Sequence, residues 1–171
     1  MDKLVTEIDA SGGILVGHDG SEVSSQALRW AADLGCRLGC SLHVVRTWAL
    51  SSAPRPSSWR VGYVPPLTDF EIAVLEQLRG DVAALRLRND AQVTCHVLHG
   101  AAGRRLVESS RGAEMLVVGS RGIGGFRGLV LGSTAGQVIG HALCPVVVVP
   151  VSGDEDPAEP DAGIRRRSDR S

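Results

Sequence analysis

Seven glycines fall within eighteen residues, from Gly119 to Gly136 (GSRGIGGFRGLVLGSTAG), between the apolar runs EMLVVG and PVVVVP. Glycine costs backbone entropy and fills no core, so a cluster beside a strand indicates that the main chain must approach something closely. Backbone amides that converge in such a loop, or at the start of a helix, bind anions such as phosphate. This stretch is therefore a candidate phosphate site.

Two familiar phosphate-binding patterns do not fit this stretch. A Walker A loop requires a lysine after its last glycine, and the only lysine of the chain is Lys3. The dinucleotide fingerprint GxGxxG begins at Gly122 and Gly124, but Arg127 occupies the position of the third glycine. The stretch also follows the fourth predicted strand, whereas that fingerprint belongs after the first.

The elements that must position the glycines alternate between strands and helices. Apolar runs predict strands, and helical spacing and capping residues predict helices between them; the strands are 13–18, 42–48, 93–100, 114–119 and 144–150. The helices run from Ser21 to Gly39, from a capping box at Thr68–Glu71, near 101–111, and from a cap at Ser133. Because the strands are apolar throughout, we expect a parallel sheet with helices on both faces, a single doubly wound α/β domain.

The totals favour one soluble domain with flexible ends. The chain has 171 residues, 43% hydrophobic and 22% charged, with a net charge of -1, which gives no reason to expect nucleic acid or an anionic membrane as a partner. Its four cysteines show no metal-ligand spacing, which favours a reduced, cytoplasmic protein. We expect a flexible N-terminus over 1–12, the domain over 13–150 with a long loop over 48–67, and a disordered tail over 151–171.

The glycine spacing resembles that of a known family. Gly119-x-x-Gly122, nine residues, then Gly132-Ser133 is similar to the nucleotide-binding pattern G-2x-G-9x-G(S/T) of universal stress proteins. The resemblance extends over about residues 13–150, through VGHDGS (16–21), LHVV (42–45), VLHG (97–100) and CPVVVVP (144–150). It implies a five-stranded sheet of order 3-2-1-4-5, ATP as the ligand with Mg²⁺ as its companion, and a homodimer formed through the fifth strand, 144–150.

The glycines and the helix start have a physical role in such a site. Gly119 and Gly122 would allow close approach of the phosphates and positive φ where the amides converge. Gly132 and Ser133 stand at a predicted helix start, where free N–H groups favour an anion. Thr134 would add a hydroxyl near the phosphates or a magnesium ion.

Other candidate residues rest more on the resemblance. It implies that Asp19 accepts hydrogen bonds from ribose or adenine, although an acidic residue at a helix start also suits the helix dipole. It implies that Val44 contacts adenine and that Gly100 gives close approach beside the base, although a buried valine and a strand-ending glycine need no function. Arg121 and Arg127 would balance phosphate charge, or be solvated loop residues.

The sequence offers no catalytic residues. A GxSxG nucleophile elbow and an HExxH zinc motif are both absent from it. The leading hypothesis is an ATP-binding stress-response protein with a regulatory role. The alternatives are a slow ATPase or nucleotidyl transferase on the same fold, and a nucleotide-independent interaction module.

Overall fold

The computed structural model of the chain describes residues 4–88, 90–123 and 131–150. Strands and helices alternate along it, as the apolar runs predict; they are β1 (Ile14–Gly17), α1 (Glu22–Leu38), β2 (Leu42–Trp48), α2 (Leu67–Ala84), β3 (Val93–His99), α3 (Ala102–Ser109), β4 (Met115–Gly119), α4 (Ser133–His141) and β5 (Val146–Val149). The predicted tail and Arg127 lie outside the described residues.

The five strands form one parallel sheet of order β3-β2-β1-β4-β5. This confirms the predicted doubly wound α/β fold. The winding direction reverses between β1 and β4, so a crevice forms there beyond the carboxyl ends of the strands. Strand β1 ends at Gly17, which pairs with Val45 of β2, whereas β2 continues to Trp48.

Each face of the sheet has its own apolar core. One core joins α1 and α2 to the sheet through Leu28, Leu78 and the fully buried Val44. The other joins α3 and α4 to the opposite face through Leu106, Val138 and further side chains. Burial on both faces explains why the strands are apolar runs rather than alternating patterns.

Two helix starts differ from their sequence predictions. Helix α2 begins at Leu67 with Pro66 at its N-cap, so the predicted capping box at Thr68–Glu71 is wrong. Proline fits before a helix because its fixed φ and missing N–H cost nothing there. Helix α4 has Gly132 at its N-cap, and Ser133, the predicted cap, is its first helical residue.

The segments outside these elements also pack against them. The sequence predicts a flexible segment over 1–12; in its described part, the N–H of Val5 donates to Glu71 Oε1 (3.0 Å) and Ala10 is fully buried. In the loop between β2 and α2, Trp59 packs edge-on against Phe70 of α2. No helix within the described part of the chain is long and apolar enough to cross a membrane.

Candidate functional site

A cleft of about 400 Å³ opens beyond the carboxyl ends of β1 and β4. The β1–α1 turn, the residues after β4 and the first turn of α4 surround it, and α3 closes one side. Its lining includes Asp19, Gly119, Arg121, Gly122, Gly132, Ser133 and Thr134. The fold therefore brings most of the sequence-predicted site residues together, from positions more than a hundred residues apart in the case of Asp19 and Thr134.

Asp19 joins two parts of the cleft wall that are distant in the sequence, the β1–α1 turn and the residues after β4. Its Oδ1 accepts the N–H of Ser21 (3.0 Å), and its Oδ2 accepts the N–H of Ile123 (2.7 Å) in the loop after β4. Burial opposes ionisation of the carboxyl, but hydrogen bonds from Ser21, Ile123 and Ser24 outweigh it and lower the pKa of Asp19. Asp19 is therefore a carboxylate at neutral pH, and it holds the amide of Ile123.

Close packing, and not positive φ, explains the glycines after β4. The residues with positive φ do not include Gly119 or Gly122, so that part of the expectation is wrong. A Cβ at Gly122 would lie 2.5 Å from Asp19 Oδ2, and one at Gly119 would lie 2.8 Å from Val23 Cγ1. Asp19 reaches the Ile123 amide only because Gly122 has no side chain.

Two of the predicted site residues lie elsewhere. Val44 is fully buried in the core under α1 and α2, because side chains alternate across a strand and Val44 points away from the cleft. Val45 and Thr47, on the other face of β2, line the cleft instead. Side chains two residues apart lie on the same face of a strand, so knowing one cleft-facing residue of β2 would have identified both Val45 and Thr47.

Gly100 is the other predicted residue outside the lining of the cleft, and the role that the structure shows for it is local. Its φ of +131° is one that side-chain-bearing residues rarely adopt, and a Cβ there would lie 2.8 Å from Arg105 Nε. Arg105 bonds the carbonyl of His99 across this position at 2.9 Å. Gly100 therefore shapes the β3–α3 turn, and Ala102 of α3 lines the cleft.

The backbone of Thr47 forms an open strand edge beside the cleft. The C=O of Val45 accepts the N–H of His18 (2.9 Å), so the polar groups of Val45 face β1. Backbone groups two residues apart face the same side of a strand, so those of Thr47 also face β1, beyond the end of that strand. A planar ring with a donor and an acceptor on one edge would fit this position.

A buried polar network behind Asp19 escaped the sequence analysis. Arg46, which is 7% exposed, donates through Nη2 to Asp81 Oδ2 (2.8 Å) and to Nδ1 of His18 (2.8 Å). Since Arg46 is a donor, Nδ1 of His18 carries no proton, and Nε2 of His18 donates to the Ser25 hydroxyl (3.4 Å). The chain of bonds fixes the β1–α1 turn that carries Asp19.

Stability should fall when the pH drops from about 7 to 5. Burial, and then Arg46, lowers the pKa of His18, and burial, and then His43, lowers the pKa of His96. Both folded-state pKa values thus lie below the unfolded value of about 6.5, so the unfolded chain takes up protons first as the pH falls. The free energy of unfolding should be nearly constant between about pH 7 and pH 7.5 and should decrease below about pH 7.

Urea unfolding at several pH values between 5 and 7.5 measures this dependence. The variant His96→Gln removes one of the two groups and should show a shallower decrease than the wild type. Equal free energies of unfolding at pH 5 and pH 7.5 in the wild type would contradict the expectation.

Comparison with known proteins agrees with this fold and identifies the family of the chain. The model of the universal stress protein family matches residues 12–150, and the chain belongs to this family. Universal stress protein Rv2624c of Mycobacterium tuberculosis is 32% identical over 156 residues, which cover 91% of this chain and 54% of that protein. The chain spans about half the length of the curated relatives it matches.

Solved structures of the family share the fold. A universal stress protein in complex with cAMP is 22% identical and has a TM-score of 0.56, over 83% of this chain and 98% of that one. The universal stress protein of Archaeoglobus fulgidus in complex with dAMP is 23% identical, also with a TM-score of 0.56, over 82% of this chain and 98% of that one.

Proposed function

We propose that this protein binds an adenine nucleotide in the cleft, with ATP as its ligand, and that it acts as a nucleotide-dependent regulator. The observation that carries the proposal is the convergence of the residues after β4, the first turn of α4 and Asp19 on one cleft. Family members with cAMP and dAMP bound support adenine nucleotides as the class of ligand.

The phosphates would bind between the loop after β4 and the start of α4. Among the described residues, no side chain caps α4, so the first amides of the helix are available to an anion together with the positive end of its dipole. The hydroxyls of Ser133 and Thr134 line the same wall, and Arg121 adds positive charge to the cleft. A phosphate would then take the Ile123 amide from Asp19.

The base and the ribose would occupy the other half of the cleft. The open edge of Thr47 suits the donor and acceptor atoms of adenine, and Val45 and Leu106 provide an apolar wall. Asp19, released from Ile123, would accept hydrogen bonds from ribose hydroxyls. Its charge beside a polyphosphate would be offset by Mg²⁺ carried with the nucleotide.

A regulatory role fits this lining better than efficient hydrolysis. Within the described lining, the side chains able to accept a proton are Asp19, which is held ionised with a low pKa, and His18, whose Nδ1 is bonded to Arg46. A general base needs a pKa near the working pH and contact with the attacking water. The slow ATPase and the nucleotidyl transferase therefore remain second candidates.

The edge strand β5 is the surface that we propose for a homodimer. Of the described strands it pairs with β4 alone, and its four valines are only partly buried. Ile139 and Leu143, 50% and 53% exposed, lie just before it in the chain. An apolar strand edge with open hydrogen-bonding groups favours pairing with a second copy.

The four cysteines are free, which fits the proposed cytoplasmic location.

Calorimetric titration of nucleotide-free protein with Mg-ATP, ATP without metal and AMP tests the proposed function. We expect saturable binding of Mg-ATP at one site per chain, and weaker binding of AMP because it has fewer phosphates for the α4 amides. A phosphate-release assay on the same sample should show no turnover above background. Turnover would favour the enzyme, and absence of binding by folded protein would favour the interaction module.

A further inference from the structure

Two histidines face each other on the sheet, away from the nucleotide cleft. His43 lies in β2 and His96 in β3, and Nδ1 of His43 is 3.1 Å from Nε2 of His96. The two rings are nearly parallel, at 13°, with centroids 5.3 Å apart. His43 is the second residue of its strand, so the pair lies toward the opposite end of β2 from Thr47. The sequence gives no sign of this pair, because 53 residues separate its members.

The surrounding chain is fitted to the pair. A Cβ at Gly13 would lie 2.6 Å from His43 Cδ2, so the backbone packs directly against this imidazole. Ser41 Oγ lies 3.4 Å from Nε2 of His43, the ring nitrogen that faces away from His96. Both imidazoles are only partly buried, so water reaches the site.

The separation of the two nitrogens is close to that of two ligands on one metal ion. Imidazole nitrogens bind Zn²⁺ at about 2.0–2.1 Å, and a tetrahedral angle at the metal then sets them about 3.4 Å apart. To reach this arrangement from 3.1 Å, the nitrogens must separate by a few tenths of an ångström, and the rings must turn so that both lone pairs point at the ion instead of along one hydrogen bond. We propose that His43 Nδ1 and His96 Nε2 together bind one divalent ion of the Zn²⁺, Cu²⁺ or Ni²⁺ class.

The chemistry of the pair selects this class of ion. Neutral imidazole prefers Zn²⁺, Cu²⁺ and Ni²⁺, whereas Mg²⁺ and Ca²⁺ prefer oxygen ligands. Within the described ranges no group of three or more His, Cys, Asp or Glu side chains is placed for a metal, so water completes the coordination shell. The proposed site would therefore bind an exchangeable metal ion and would not be a structural metal centre.

Metal binding requires one defined pair of tautomers. Each ligating nitrogen must present a lone pair, so the proton of His43 resides on Nε2 and that of His96 on Nδ1. Ser41 Oγ is placed to accept the His43 proton, the outer contact that usually fixes a metal-bound histidine. Without metal, one of the two facing nitrogens carries the proton of the hydrogen bond between the rings. Binding therefore requires one of the two neutral rings to change its tautomer.

Calorimetry with ZnCl₂ on untagged, reduced, nucleotide-free protein tests the proposal, and histidine side-chain ¹⁵N spectra identify the ligating atoms. We expect one ion per chain and shifts at His43 Nδ1 and His96 Nε2. His43→Gln and His96→Gln should each lower the affinity at least about tenfold, since loss of an outer-shell partner alone costs about that much. Ser41→Ala should lower it about tenfold. His141→Gln is the matched control and should bind as the wild type does.

Two results would overturn the proposal. If the histidine variants bind Zn²⁺ as tightly as the wild type, the ion is held elsewhere, for example by the free cysteines. If the folded wild type shows neither heat nor ¹⁵N shifts, the pair is a hydrogen bond only. The site does not share residues with the cleft, so failure of either proposal leaves the other intact.

Discussion

Replacing Gly132 with aspartate is expected to stabilise the protein while it weakens nucleotide binding. Gly132 has φ -74° and ψ 162°, an extended conformation that any residue adopts. The nearest atoms to an added Cβ would lie at 3.5 Å, which is ordinary contact. The fold therefore does not require glycine at this position. Its presence is explained if a ligand needs the helix start to be open.

An aspartate at this N-cap would accept hydrogen bonds at the start of α4, as we propose that the phosphate does. Its carboxylate would accept an amide of the first turn of α4 and interact with the helix dipole, for a gain of about 1 kcal/mol in the free energy of unfolding. For a protein of this size, the melting temperature should rise by about 2–4 °C. The affinity for Mg-ATP should fall about tenfold to a hundredfold, because charge-assisted hydrogen bonds are lost.

Gly140→Asp is the matched control. It makes the same substitution near the other end of α4, at an exposed glycine with nothing within 4 Å of an added Cβ. It should not raise the melting temperature, because a carboxylate is unfavourable near a helix C-terminus, and it should bind Mg-ATP as the wild type does. Thermal unfolding and calorimetry measure both effects. Wild-type affinity in Gly132→Asp would exclude the start of α4 from the site.

Replacing Val148 with proline is expected to convert the proposed homodimer into monomers without unfolding it. The C=O of Val149 accepts the N–H of Ser120 (2.7 Å), so the backbone groups of Val149 face β4. Backbone groups alternate along a strand, so those of Val148 face outward, away from β4. Proline at 148 removes one outward N–H and is tolerated at such a position of an edge strand.

The neighbouring position provides the contrast. Proline at Val147 would remove an N–H that faces β4, so this variant should lose stability as well as assembly. Val148→Thr keeps a β-branched side chain and the N–H, and should remain dimeric. Light scattering across a range of protein concentrations gives the mass, and thermal unfolding reports the fold. A wild type that is monomeric throughout, or a dimeric Val148→Pro variant, would contradict pairing through β5.

The order of the elements could be predicted from the sequence because each signal is local. The apolar run LHVVRTW coincides with β2, and Gly39 ends α1 in the left-handed conformation that glycine favours. The helix starts were less predictable. The residues at Thr68–Glu71 match the capping-box pattern, but the N-cap is Pro66 and the helix starts two residues earlier.

The glycine spacing likewise placed one wall of the cleft correctly. Gly119, Gly122, Gly132 and Ser133 lie together near the end of β4 and the start of α4, two elements that follow each other in the chain. The placement of the Val44 side chain could not be predicted in this way, because it depends on which face of β2 meets the cleft. The face of β2 that meets the cleft is set by α3 and α4, two helices that lie far from β2 in the sequence.

The sequence by itself determined the class of fold and the element order, since the periodicity of apolar residues and the backbone freedom of glycine are local properties of the chain. Only the tertiary structure decided that Asp19 bonds Ile123, that Arg46 fixes His18 and that His43 meets His96. These contacts join strands and loops through side-chain reach and sheet register. Distances of this kind are set by the packing of the whole domain, and no local pattern encodes them.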